Sequence, residues 1–219
     1  KLLTAPQEQK RKLDNEKASQ GKVFAKLKKK EKQLRAERKQ KQQDAEKLER
    51  EIIKIIEQEI ELAQQKTARL TPEMVKLSQD FAGNKGKLPW PVERGIITGR
   101  YGKHPHPLHE YIEINNNGID IGTIKGATAR AIFNGTVLHV GPIPGGNQWI
   151  MLNHGEYFTV YSNLSQVYIK KGDKVTTNQS LGPVYTNDTK GKTQVHLEIW
   201  KGTTNQPQRL NPEYWIVKK

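Results

Sequence analysis

The sequence contains no cysteine. Disulfides, thiolate zinc sites and cysteine nucleophiles are therefore excluded, although the absence fixes no compartment. No run of about 18 apolar residues occurs, which excludes a membrane-spanning helix. Residues 22–71 contain neither glycine nor proline, so nothing there interrupts a helix. Apolar residues are scarce: they make up 34%, or about 42% with the 18 glycines, where a wholly globular chain has roughly 45–50%. Part of this chain therefore stands outside any core. Its 219 residues allow one or two domains.

Charge is present in excess of one sign. There are 37 Lys and Arg against 23 Asp and Glu, a net charge of +14. Residues 1–80 hold 21 of the bases and 14 of the acids, so the excess is shared evenly with the remainder. Such a surface attracts nucleic acid, anionic lipid or an acidic partner without choosing among them. The run Lys26-Leu27-Lys28-Lys29-Lys30 is soon followed by Glu31 and Glu37. It reads as a solvated helix face, and no nucleic-acid partner is expected.

The chain has two grammars. Residues 22–71 are rich in Lys, Glu, Gln, Ala, Leu and Arg, all good helix formers. Leu27, Leu34, Leu48, Ile55 and Leu62 fall on one seven-residue row, interrupted by Lys41. Ile52, Ile56 and Ile60 widen the apolar stripe toward its end. The pattern predicts a coiled-coil-type helix. The companion row is poor, with Glu31, Arg38 and Glu59 at apolar positions. Residues 1–20 continue the composition, and Gly21 marks a candidate break. The arm is placed at 1–75 and a turn-rich linker at 76–91, with Gly83, Gly86, Pro89 and Pro91 in it.

From Val92 onward, short β-branched runs alternate with Gly, Asn and Asp, as in Gly135-Thr136-Val137-Leu138-His139-Val140 and Val195-His196-Leu197-Glu198-Ile199-Trp200. This spacing predicts an antiparallel all-β domain over 92–219, with loosely repeated hairpins opened by Lys125-Gly126 and Lys171-Gly172. The fold class is α+β by segment: a long helix joined to an all-β domain. All six histidines lie in the β half. His104-Pro105-His106-Pro107-Leu108-His109 offers a metal idea, since alternate prolines favour an extended chain that turns His104 and His106 to one side. With no carboxylate pair nearby, a solvent loop at a cleft rim is the simpler reading. His139 and His154 read as structural.

Three segments stand together: Asn116-Asn117-Gly118-Ile119-Asp120, Tyr161-Ser162-Asn163-Leu164 and Gln194-Val195-His196-Leu197-Glu198. Their order, with Asn134-Gly135-Thr136-Val137, Asn153-His154-Gly155 and Gln179-Ser180-Leu181-Gly182 between them, resembles the LytM/lysostaphin-type zinc peptidases of bacterial cell wall. In that family the first segment reads His-x-Gly-x-Asp, the second Tyr-x-His-Leu and the third His-x-His. The resemblance implies zinc ligands at positions 116, 120 and 196 and catalytic histidines at 163 and 194. Here Asp120 and His196 match, but Asn116, Asn163 and Gln194 replace histidine. Catalytic zinc takes three protein ligands and a water. An amide binds zinc weakly and shuttles no proton near neutral pH. No catalytic residue, no metal and no cofactor are expected.

A helical arm on such a domain resembles the EnvC-like murein hydrolase activators. The likeness extends to Leu88-Pro89-Trp90-Pro91-Val92 and Asn211-Pro212-Glu213-Tyr214-Trp215. It implies a periplasmic protein, its secretion signal outside this chain, that does no hydrolysis. Its groove would bind an N-acetylmuramoyl-L-alanine amidase and activate it in cell division and daughter-cell separation. Its coiled coil would engage an FtsEX-type membrane complex, and peptidoglycan is a further candidate partner. The groove residues expected are Asn116, Asp120, Asn163, Gln194 and His196, with Tyr101, Tyr161 and Lys201 at the rim. The alternatives are a zinc endopeptidase with an unusual ligand set that draws on His104, His106 or His109, and a wall-binding scaffold.

Overall fold

The computed structural model describes residues 4–65, 71–106, 109–143, 147–202 and 206–218. Two compact units divide the chain, Lys1–Glu49 and Arg50–Lys219. Helix α1 spans Thr4–Gln65 and passes through Gly21 without a break. With nothing within 4 Å of that position, the glycine meets no packing demand and costs only propensity, about 1 kcal/mol. In the first unit α1 is exposed, and Leu13, Phe24, Leu27 and Leu34 all lie open.

Within the second unit α1 behaves differently. Ile52 and Ile56 are fully buried, whereas Leu62 of the seven-residue row is half exposed. The packed stripe is therefore the i, i+4 row, because it is a sheet rather than a second helix that it faces. No described helix is long and apolar enough to cross a membrane.

The stretch read as a linker carries helix α2, Pro72–Gly83. Thr71 caps it by accepting from the Met74 N–H at 3.3 Å, and proline stands in its first turn, where no N–H partner is needed. Phe81 enters the core, stacked on His154 and Tyr157 at 4.9 Å and set against Trp215 at 5.2 Å. Leu88 is zipped to the chain's end: its N–H donates to the Trp215 carbonyl (3.0 Å) and its carbonyl accepts from Val217 (2.9 Å). The Trp90 indole donates to the Val217 carbonyl at 2.8 Å.

Thirteen strands follow among the described residues: β1 Ile96–Gly99, β2 Gly102–His106, β3 His109–Asn116, β4 Ile119–Thr123, β5 Thr128–Arg130, β6 Gly135–Pro142, β7 Gln148–Asn153, β8 Tyr157–Leu164, β9 Lys174–Val175, β10 Ser180–Pro183, β11 Thr186–Asn187, β12 Lys192–Lys201 and β13 Gln208–Leu210. The antiparallel β domain expected from the sequence is thus present. Its main sheet runs β1-β4-β12-β8-β7-β6-β9, with β11 and β13 also on β12. Lys125-Gly126 and Lys171-Gly172 both make turns, the glycines at φ +82° and +92°, where a side chain would be strained.

Side chains alternate across a sheet, so β12 serves two faces. Val195, Leu197 and Ile199 join Ile119, Ile121, Ile150, Leu152 and Tyr161 in one core. Gln194, His196, Glu198 and Trp200 point to the opposite face. On that second face Trp149, Met151, Phe158, Val160 and Trp200 are also enclosed. The end of α1 lies over them: Glu51 Oε1 is 3.5 Å from His139 Nε2, Glu59 accepts from Asn153 Nδ2 at 3.3 Å, and Ile60 lies against Gly202 beside the Phe158 ring.

His154 sits wholly inside the core. Its Nδ1–H donates to the Asn134 carbonyl (2.6 Å), so Nε2 is the acceptor, taking the Thr159 hydroxyl proton at 2.8 Å. The Tyr161 hydroxyl, 3.3 Å from Thr159 Oγ1, then donates to Thr159 and accepts from the Ile132 N–H. Burial lowers the His154 pKa to about 4, against the opposing pull of the Asn134 carbonyl. In the unfolded chain it titrates near 6.5. Stability from this group is full above pH 6.5 and is lost as pH falls toward 4, about 3 kcal/mol in all. In an NMR titration the His154 ring should stay neutral down to about pH 5; titration near 6.5 would show that the core admits a charged ring.

Candidate functional site

The three segments singled out in the sequence meet on the second face of the sheet. One cross-strand row carries the centre. It reads Gly141 (β6), Trp149 (β7), Ser162 (β8), His196 (β12), Asp120 (β4) and Gly99 (β1). Asn116 ends β3 and starts the turn into β4. Its Oδ1 accepts from the Gly118 N–H at 3.2 Å, an Asx turn that points Nδ2 at Asp120 Oδ2, also 3.2 Å. Gly118 is required there, since a side chain would run into the Leu197 carbonyl.

His196 is held from both ends. Nδ1 donates to Asp120 Oδ1 at 2.9 Å and Nε2 to Glu198 Oε1 at 3.3 Å. Glu198 is fixed in turn by the Trp200 indole, which donates to its other oxygen at 2.9 Å. Burial opposes a charge on the ring, but the hydrogen bonds and charges of Asp120 and Glu198 outweigh it and push the His196 pKa up to about 10. The ring is therefore an imidazolium at neutral pH, donating both protons. Glu198 escaped the sequence reading, though its signal was there: two residues beyond His196 on a strand is the same face.

Asn163 lies at the end of β8 with φ +70°, a left-handed conformation that asparagine tolerates. Its side chain is spent locally. Oδ1 accepts from Asn147 Nδ2 and Nδ2 donates to the Gln194 carbonyl, both at 2.5 Å. Gln194 lines a groove of about 430 Å³ at the β1-β4-β12 end of the same face, with Arg94, Ile96, Thr98, Gly122 and Lys192.

Two expected rim residues are elsewhere. Tyr161 is fully buried in the core on the other face, because its neighbour Ser162, not Tyr161, shares the parity of His196. Lys201 shares the parity of Leu197, and its ammonium sits over the Tyr157 ring at 5.6 Å, away from the groove. Tyr101 remains near the site: burial, then the charge of Glu198, raises its pKa. His104 belongs to the β2–β3 hairpin, its Nδ1 3.2 Å from the Gly102 carbonyl. The side chains of His106 and His109 lie outside the described residues.

This donor set does not fit catalytic zinc. Asn116 offers an amide, already engaged through both its oxygen and its nitrogen, where a third strong ligand is needed, so only Asp120 and His196 are ligands of the right kind. Among the described residues no group of three or more His, Asp or Glu is arranged to hold a metal.

With this geometry in view, the comparisons are informative. Residues 114–212 match peptidase family M23. This is the part of the chain that carries Asn116, Asp120, Asn163, Gln194 and His196. Among solved structures, Csd3 of Helicobacter pylori is 21% identical with a TM-score of 0.48; the match covers 60% of this chain and 35% of that one, about a third of its length. The SpoIIQ–SpoIIIAH pore-forming complex gives 22% and 0.48, covering 61% and 93%. A mutant of the catalytic domain of the prophage-encoded M23 protein EnpA from Enterococcus faecalis gives 27% and 0.47, covering 57% and 95%. No curated protein matches the chain.

The clamp on His196 has a measurable sign. Its raised pKa means that the stability it contributes is full below about pH 6.5 and is lost as pH rises through about 10. Nitrogen-15 NMR at pH 7 should show both ring nitrogens protonated, and Asp120→Asn should lower the pKa. Zinc added at pH 7 should leave the ring signals in place; a zinc-dependent loss of ring protons would restore the metal reading.

Proposed function

We propose that this protein is a non-catalytic activator of cell-wall N-acetylmuramoyl-L-alanine amidases, acting in cell division and daughter-cell separation in the periplasm. The M23-type domain binds the amidase through the second face of its sheet, and the amide replacements at 116, 163 and 194 are why it does not hydrolyse wall itself. The first unit of the chain engages an FtsEX-type membrane complex. One observation carries the reading: the end of α1 packs on the sheet face that also bears His196, Asp120 and Gln194, with its contacts at His139, Asn153 and Gly202. That is where a resting cover has to lie if binding at this face is to be signalled.

The strength of the cover suits a switch. Ile52 and Ile56 are each fully buried, worth about 1.5–3 kcal/mol apiece. The Glu51–His139 and Glu59–Asn153 contacts are partly exposed and add little. A partner that gains a few kcal/mol more on this face can displace the arm, since a ligand shifts an equilibrium only by its differential affinity.

The test substitutes the arm rather than trimming the chain, because Phe81 beyond it is part of the core. Dye release from purified sacculi is measured with the organism's own amidases, alone and with the protein. Stimulation is expected only in the mixture, with the protein alone inactive. The double change Ile52→Glu and Ile56→Glu should lower the half-maximal concentration at least tenfold, corresponding to about 1.4 kcal/mol or more. Equal potency of the two forms would reject a covering arm, and release by the protein alone would reject the activator reading.

A further inference from the structure

Among the described residues, the covered face contains three buried polar atoms without a hydrogen-bond partner: Trp149 Nε1, Ser162 Oγ and His139 Nε2, the last with Glu51 of α1 at 3.5 Å. Trp149 is fully enclosed and its Nε1–H has no partner; Ser162 is 4% exposed and its Oγ has none. They are direct cross-strand neighbours in the central row, and Ser162 in turn is paired with His196. Trp149 stacks on His139 at 4.4 Å, and His139 faces Glu51 of α1, so the indole lies beneath the arm. The residues that α1 buries here, Ile52 and Ile56, carry no acceptor. Buried polar groups in folded proteins are nearly always paired, and leaving one unpaired is costly. Two such groups side by side, on the one face that is covered by a separable element, mark an imperfect occupant.

Resting on the activator reading above, we propose that Trp149 Nε1 and Ser162 Oγ are the selectivity determinants of this face for its partner. The segment they select is an amphipathic helix. It repeats the i, i+4 apolar spacing of Ile52, Ile56 and Ile60, and it carries a Gln, Asn, Glu or Asp where the arm is apolar. The apolar residues reproduce what the arm gains; the added acceptor takes the indole N–H and the serine hydroxyl proton, which the arm leaves unmet. Sites built to donate a hydrogen bond discriminate strongly against occupants that cannot accept one. The differential affinity that drives the arm off then comes from the floor of the groove. The groove at the β1-β4-β12 end of the same face, lined by Arg94 and Lys192, favours an acidic version of the segment where it extends that far.

The test uses the full chain with Ser162→Ala, which removes only the hydroxyl, and Trp149→Phe, which keeps an aromatic ring. Removing an unsatisfied group favours the arm-covered state. Hydrogen exchange of the amides of residues 50–62 should therefore slow by about threefold to tenfold in each variant, with no matching change in β8 and β12. Stimulation of amidase by the same variants should fall by at least the same factor. Arm exchange that is unchanged or faster in Ser162→Ala, or slowing spread equally over the sheet, overturns the proposal. So does undiminished stimulation by both variants. If the arm slows as expected but no amidase responds even to the Ile52→Glu, Ile56→Glu form, the activator reading falls and the selectivity assignment falls with it, while the unmet donors beneath the arm stand on the exchange result alone.

Discussion

The alternation of side chains along the strand Lys192–Lys201 governs everything else in the second unit. This strand lies inside the sheet, pairing with β4 on one side and β8 on the other. Its odd-numbered residues from Val195 to Ile199 build the core, and its even-numbered ones from Gln194 to Trp200 build the site. A one-residue slip would exchange the two sets, placing an imidazolium and a carboxylate in a hydrocarbon core. The register is thus enforced from both faces. It also decides the neighbours: Asp120 and Ser162 must flank His196, and Tyr161 must turn away from it.

Much of the β half could be read from the sequence for this reason. Strand periodicity, the glycine turns and the order of the three polar segments are local signals, and each survives in the structure. Asn116, Asp120 and His196 meet as the family resemblance implied, because an Asx turn and a single cross-strand pair bring them together. Tyr161 and Lys201 were misplaced by treating nearness in sequence as nearness on a face; parity sends both to the other side. The helical half was less legible. A row spaced by seven invites a second helix, but the row that is buried, Ile52 and Ile56, meets a flat sheet, which accepts i, i+4 spacing equally well. Periodicity identifies an apolar stripe without naming the surface it packs against. The connector was opaque for a related reason: Phe81 and Leu88 look unremarkable among Gly, Asn and Lys, and only their long-range partners, Trp215 and the strand-like end of the chain, pull them inward.

The same parity explains why the site is a charge clamp. A histidine with one carboxylate on its Nδ1 side still has a lone pair to give a metal. His196 has a second carboxylate, Glu198, two residues along on the same face, and that carboxylate is steered toward the ring by the Trp200 indole. With Asn116 in place of a third strong donor, the pair is a poor cation site, and a proton on each nitrogen satisfies both acids. The result is a floor of interlocked groups whose hydrogen-bonding capacity is turned inward: Asn116, Asp120, His196, Glu198 and Asn163 mostly bond one another or nearby backbone.

Such a floor has little hydrogen-bonding capacity left over, which makes the adjoining atoms that are not interlocked more consequential. Beside the clamp, on the same row, the structure turns from satisfied to unsatisfied between His196 and Ser162. A face whose polar groups were all internally paired would bind any apolar helix of the right spacing and would distinguish a partner from the arm only by area. A face whose groups were all unpaired would be too costly to cover at rest. Having a paired half and a small unpaired half resolves the conflict. On the proposed reading, an occupant with the right acceptor has somewhere to gain what the arm cannot.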